Sequence, residues 1–332
     1  MVTRCPTSSD GGRPPATEDR DPPTTEPMGA ARRSRTDARA VHPGDEGGPG
    51  DEGGPGDEGG PGDEGGPGDE GGPSLAQAGI LPAVVPPTPL LPVAVRPAGP
   101  GVCRICFDGV VAGRPICRSC QSAHRHLGIP LEPITPISLA ADGSGVYEAL
   151  RQYKWRHWGA GARRQRLRLA GLVADHLSRH GSCMTPGGWN AVTVVPSLRR
   201  REGAHPLVSV LTMMDELADA YVPALRAAWW SGTLQRVEAT NRWYEPHPLH
   251  RSRIRGARFL LIDDTYTTGA HLHSARAALL AGGASSVTTL VIGRRVNRAW
   301  VPSRTILDWA SEAGAAGSRW WPWCVHCCPR PS

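Results

Sequence analysis

Asp263 and Asp264 stand side by side at the end of an apolar run, Phe259 to Ile262, and Thr265, Tyr266, Thr267, Thr268 and Gly269 follow at once. Two adjacent carboxylates can accept hydrogen bonds from the 2- and 3-hydroxyls of a ribose, directly or with a Mg²⁺ ion between them. Small hydroxyl residues and a glycine leading into a helix bring backbone N–H groups, threonine hydroxyls and the positive end of the helix onto an anion. The segment 259–271, FLLIDDTYTTGAH, therefore suits a sugar diol beside a phosphate. Asp263 and Asp264 would hold the diol, with Thr267, Thr268 and Gly269 around the anion. The plain alternative is an acidic strand end with no ligand. A P-loop would need G-K-[ST] at this turn, and the motif is missing. A receiver domain would need a lysine on a later strand, whereas the one lysine of the chain, Lys154, lies far upstream.

A second group with metal-binding chemistry is Cys103, Cys106, Cys117 and Cys120, spaced C-x2-C-x10-C-x2-C with Gly109, Gly113 and Pro115 between the pairs. Each C-x-x-C puts two thiolates on one tight knuckle, and two knuckles close a tetrahedron around Zn²⁺. A set of four thiolates has no open position, so such a zinc would be structural. Reduced thiols or a disulfide are the alternative. Cys324, His326, Cys327 and Cys328, beside Trp320, Trp321 and Trp323, could make a further knuckle, but adjacent cysteines fit one tetrahedron poorly and a docking or disordered tail is the better expectation.

These groups need a scaffold. Arg258 to Asp263 and Val287 to Gly293 are apolar runs expected as buried strands, with a helix from about Ala270 to Ala281 stopped by Gly282 and Gly283. Ala191 to Pro196 (AVTVVP) reads as another buried strand, followed by a basic loop with Arg199, Arg200 and Arg201. Helical spacing over Gly145 to His180 predicts two helices with a break at Gly159 to Gly161; residues 207 to 230 also look helical, and Val237 to Pro248 irregular. Strands alternating with helices predict an α/β domain with a mainly parallel sheet.

Composition divides the chain. Residues 1–98 hold 8 Arg against 16 Asp or Glu, net −8, whereas residues 99–332 hold 29 Lys or Arg against 15 acids, net +14. The unit PGDEGG repeats five times over 43–72 with nothing apolar to bury, and 80–100 is apolar but broken by prolines, so 1–98 is expected to be disordered. The organisation expected is that segment, a ribbon over 99–128, an α/β domain over 140–300 and a Trp- and Cys-rich tail over 301–332. The basic part suits polyanions, nucleic acid or phosphorylated metabolites. No stretch approaches the ~20 apolar residues of a membrane span, no apolar core follows Arg4, and the cysteine pairs favour metal over disulfides, so the expected location is cytoplasmic.

The segment 259–271 resembles the phosphoribosyl diphosphate signature: four apolar residues, two acids, two variable residues, then small hydroxyl residues and glycine. That resemblance implies a type I phosphoribosyltransferase-like fold. More narrowly, the chain resembles the ComF family over about residues 101–297, through the four-cysteine ribbon, LRQYKWRHWG around Lys154, VVPSLRRRE at 194–202 and DDTYTTGA. The resemblance implies that Asp263 and Asp264 are catalytic and that Thr265, Tyr266, Thr267, Thr268, Gly269, Ala270 and His271 complete the ribose 5-phosphate site, joined by Lys154 and by Arg199, Arg200 and Arg201 on the loop that receives the diphosphate. It implies phosphoribosyl diphosphate or ribose 5-phosphate as ligand, Mg²⁺ beside it, and transfer of the phosphoribosyl group to or from a nitrogen nucleophile. It also admits a homo-oligomer, and a rival reading in which the chain is a non-catalytic DNA-uptake accessory that binds single-stranded DNA or a helicase-like partner. The chain departs from the family where REGAHPL follows the basic loop without Asn or Gln, and at His271, where a small residue is usual.

Overall fold

The computed structural model describes residues 88–154, 159–198, 205–228 and 238–315. The PGDEGG repeat, Arg199 to Arg201 and the Trp- and Cys-rich end from 316 lie outside them.

A four-stranded parallel sheet carries the domain. Its strands β1 (Thr135–Ala140), β2 (Ala191–Val194), β5 (Arg258–Tyr266) and β6 (Ser286–Arg295) lie in the order β1-β6-β5-β2. β3 (Leu225–Ala227) and β4 (Tyr244–Pro246) form a separate antiparallel ladder. The helices are α1 (Arg118–Leu127), α2 (Gly145–Gln152), α3 (Gly159–Met184), α4 (Val208–Leu211), α5 (Asp215–Asp219), α6 (Arg251–Ile254), α7 (Ala270–Ala281) and α8 (Val301–Ala315).

The period of two in a strand explains the layers. Leu260 and Ile262 of β5, Leu290 and Ile292 of β6 and Val192 and Val194 of β2 face a core shared with α2, α3 and α4. Phe259 and Leu261 of β5, with Val287 and Val291 of β6, face the opposite core, shared with α7, the cysteine ribbon and α8. Both faces are covered, so the central strands read as unbroken apolar runs. α7 is buried on nearly every side, from Ala270 and Leu272 through Leu279, because it lies between the sheet, the ribbon and β4. Its Ala-rich sequence lets these neighbours approach closely. Among the described residues no helix is long and apolar enough to cross a membrane.

Four expectations need correction. Residues 207–230 are not one helix: two short helices are followed by β3, and β4 lies within the stretch expected to be irregular. A three-residue ladder has too little period to be read, and its backbone pairing replaces helical hydrogen bonds. The break between α2 and α3 falls before Gly159, which begins α3. Residues 88–98 are not free of the domain: Leu90 and Val95 are buried, Val93 N–H donates to Ser138 Oγ at 2.8 Å, and Leu139 N–H donates to Val93 O at 3.0 Å. Proline favours an extended chain, and an extended chain can lie along an edge strand wherever a residue other than proline offers its N–H. Finally, the stretch expected as tail begins as helix α8, with Ile306 and Ala310 buried. Ser303 Oγ donates to Asp108 Oδ1 at 2.6 Å, and Gly109 lies so close to Pro302 that any side chain there would overlap its carbonyl.

Candidate active site and four-cysteine cluster

β2 pairs with β5 only as far as Val194 opposite Ile262, and Pro196 lacks the N–H to continue the ladder. The flank of β5 is therefore left open from Asp263 onward. A cavity of about 290 Å³ lies there, at the carboxyl ends of two neighbouring parallel strands. This is where open parallel sheets bind ligands. Asp263, Asp264 and every residue from Thr265 to His271 line it, with Lys154 and, from the β2 side, Val195 to Leu198. Arg199, Arg200 and Arg201 fall outside the described residues, but Leu198 and His205 on either side of that gap both line the cavity.

The two acids differ in environment. Asp264 is buried, and its Oδ2 accepts from Tyr153 Oη and from Lys154 Nζ, the latter at 2.7 Å. Burial and the Asp264 charge push the Tyr153 hydroxyl well above the ordinary tyrosine range, so it remains a donor. Asp263 Oδ1 accepts the Asp264 N–H at 2.9 Å. Burial, and then the neighbouring Asp264 charge, push Asp263 up to about 8 against the opposing pull of Lys154. One carboxylate is thus compensated, and the other keeps a proton near neutral pH that a cation or sugar hydroxyls could displace.

The turn that follows fits an anion. Gly269 has φ 80°, the left-handed region, and starts α7. A side chain on it would also overlap the ring and hydroxyl of Tyr266, so packing demands glycine here quite apart from any ligand. Thr267 is exposed and Thr268 half-buried at the mouth. His271 is fixed in place: its Nδ1 is 2.8 Å from Tyr244 Oη, which donates to Pro196 O at 3.1 Å, and Trp243 stacks on the imidazole at 4.5 Å.

Tyr266 departs from its expected role. Its ring is buried, and its hydroxyl lies 3.6 Å from Cys120 Sγ and 3.0 Å from His273 Nε2. The hydroxyl is committed to the ribbon and to α7, which leaves backbone as what Tyr266 can offer a ligand.

The four cysteines converge. All four sulfurs lie within 4.8 Å of one another, with Cys103 to Cys120 at 3.8 Å and Cys106 to Cys117 at 3.6 Å. A disulfide would need about 2.05 Å. A tetrahedron of sulfurs at about 2.3 Å from a zinc ion has edges of about 3.8 Å, so these residues could hold a metal ion such as Zn²⁺. Hydrogen bonds among the sulfurs hold Cys103 below the ordinary thiol range and push Cys120 above it. Cys117 also caps α1, its Sγ accepting from Cys120 N at 3.5 Å.

Sequence reasoning missed Tyr153, Tyr244, Asp108 and Arg294. Tyr153 registers in the sequence only as an apolar position of a helix, although it adjoins Lys154. Arg294 follows an apolar strand and gives no sign that it turns inward. In the comparisons with known proteins, no family model and no curated protein matches the chain.

Proposed function

We propose that this chain is a type I phosphoribosyltransferase-like protein of the ComF kind, which binds phosphoribosyl diphosphate and transfers its phosphoribosyl group to or from a nitrogen nucleophile. The observation that carries the reading is the convergence of Asp263, Asp264 and the Thr265 to Gly269 turn on one cavity at the carboxyl ends of β2 and β5. In this reading Asp263 and Asp264 accept hydrogen bonds from the ribose hydroxyls, and Thr267, Thr268 and Gly269 hold the 5-phosphate at the start of α7. Lys154 pairs with Asp264 at 2.7 Å and adds positive charge at the rim. A Mg²⁺ ion would be held by Asp263 as its proton leaves, and it would supply charge neutralisation to the diphosphate. Arg199 to Arg201 take the role that the family resemblance implies, on the diphosphate side. As the C1–oxygen bond of ribose breaks, both bonding electrons leave with the diphosphate, and the nucleophile attacks from the opposite face. Catalysis is then mostly positioning and electrostatics. The cysteine cluster holds a structural Zn²⁺.

The exposed arginines 104, 114, 118 and 125 of the ribbon favour a second reading, in which that surface binds single-stranded DNA. Calorimetric titration with phosphoribosyl diphosphate, with and without Mg²⁺, tests the first. Micromolar, Mg²⁺-dependent binding is expected. Salt-dependent DNA binding with no response to phosphoribosyl diphosphate favours the second.

A further inference from the structure

The cavity and the cysteine cluster share one buried side chain. Arg294 is the last residue but one of β6, is 2% exposed and does not line the cavity. Its Nε donates to Cys106 O at 2.9 Å, and its Nη2 pairs with Asp108 Oδ2 at 2.6 Å and lies 3.8 Å from Cys106 Sγ. Its Nη1 donates to Arg295 O and also lies 3.3 Å from both Tyr266 O and Thr267 O, and the guanidinium carbon sits 4.9 Å from the Tyr266 ring centre. One rigid fork therefore holds both the second cysteine of the first knuckle and the two carbonyls at the heart of the Asp263 to Gly269 loop. Tyr266 makes the same link a second way, through its hydroxyl at Cys120 and His273. α7, which begins at the loop, is tied to the chain just after the ribbon by Arg276, whose guanidinium donates to Pro130 O at 3.0 Å and pairs with Glu132 at 2.6 Å.

We infer that Arg294 is a positioning residue that couples metal in the cysteine cluster to anion binding at the loop. A trans peptide points its C=O and the next N–H in opposite directions. The carbonyls of Tyr266 and Thr267 are drawn inward to Arg294, so the N–H groups of Thr267 and Thr268 turn the other way, to the side of the cavity that both residues line. These N–H groups could meet a phosphate only while the carbonyls are so held. The guanidinium in turn is fixed by Cys106 O and Asp108, and the knuckle sets where those stand. A metal that closes the knuckle fixes the fork, and the fork fixes the loop. The inference rests on the reading of that loop as the phosphate site.

The test uses the full-length, zinc-loaded chain. Ribose 5-phosphate is titrated into wild type, Arg294→Lys and Tyr266→Phe, and zinc release to a chromogenic chelator is timed with and without saturating ribose 5-phosphate. Lysine keeps the charge beside Asp108 but cannot span both carbonyls, so Arg294→Lys is expected to lose affinity on the order of tenfold. Coupled binding is reciprocal, so the ligand should slow zinc release in wild type and slow it less in both variants. A purely structural arginine would change the melting temperature without linking the two sites. Should Arg294→Lys fail to fold, Tyr266→Phe, which removes only a hydroxyl, makes the comparison. If wild type binds ribose 5-phosphate, the variants bind it equally well and zinc release ignores the ligand, the coupling is wrong and the phosphate reading stands. If wild type binds no ribose 5-phosphate, the phosphate reading is wrong and the coupling falls with it.

Discussion

The cysteine cluster and the acidic loop lie against the same stretch of chain, yet they are built on opposite plans. In the cluster four sulfurs face one another, three of the four cysteines are buried, and the ordinary partner of each sulfur is another sulfur. At the loop the carboxylates, hydroxyls and lysine face a cavity, and Asp263 is left with a proton that its surroundings do not favour losing. A closed set of ligands needs a metal to be complete and has no place for a substrate. An open set leaves room for a partner, and the proposed reading gives that place to the substrate. The two plans should therefore fail differently when changed.

The largest effect is expected from the closed plan. Cys103→Ser with Cys117→Ser should lower metal content from about one zinc per chain to near zero. Because Val102, Ile105, Phe107 and Val110 of the ribbon belong to the core shared with β5 and α7, the melting temperature should also fall, by more than about 10 °C. Metal analysis and calorimetry check both; metal content near one in the double variant would mean that the sulfurs are not the ligands. Next is the open plan. Asp264→Asn removes the charge that Lys154 and Tyr153 meet, and the loss of a charge-assisted hydrogen bond, ~1.5 to 3 kcal/mol, should weaken ribose 5-phosphate about tenfold to a hundredfold while zinc content stays unchanged.

A third change should touch neither plan. Deleting residues 1–98 removes Leu90 from the core shared with α2 and α3 and Val95 from the core shared with the ribbon, each worth up to roughly 1.5–3 kcal/mol. The melting temperature should fall on the order of 5–10 °C. Deleting only 1–87 should leave it unchanged, and neither deletion should alter zinc content or ligand affinity. A fourth change concerns Asp263. Its folded pKa is raised to about 8, so the folded chain holds a proton that the unfolded chain gives up near 4. Stability without ligand should therefore decline as pH rises from about 4 to about 8 and level off above. Asp263→Asn should remove that part of the decline, whereas Mg²⁺-dependent binding in wild type should strengthen as pH rises through about 8. Identical melting-temperature profiles for wild type and Asp263→Asn across that range would contradict this assignment.

The strand, turn and helix around Asp263 and Asp264 were legible because each rests on local chemistry: an apolar run buried on two faces, a glycine at positive φ, and a Gly-Gly stop after Ala281. The spacing of the cysteines was legible for the same reason. β1 was not, since TPISLA is short and interrupted by a proline and a serine, and that serine takes its meaning only from Val93 lying beside it. The β3–β4 ladder and the docking of α8 on Gly109 join residues far apart in the chain, which no local period records. Direction was hidden as well. Tyr266 lies within the motif yet turns its hydroxyl to Cys120, and Arg294 has no motif yet holds the loop. Side-chain direction is decided by packing, and the sequence carries it only through the whole fold.

Binding of a phosphorylated ribose by the acidic pair and the turn after it is tested most directly by calorimetric titration of ribose 5-phosphate into wild type and into the folded Asp263→Asn, Asp264→Asn double variant. Wild type is expected to bind, and the double variant to lose at least tenfold in affinity with its zinc content intact. Equal affinity in the two proteins would mean that the carboxylates serve only the fold, and would contradict the assignment of this cavity as a phosphoribosyl site.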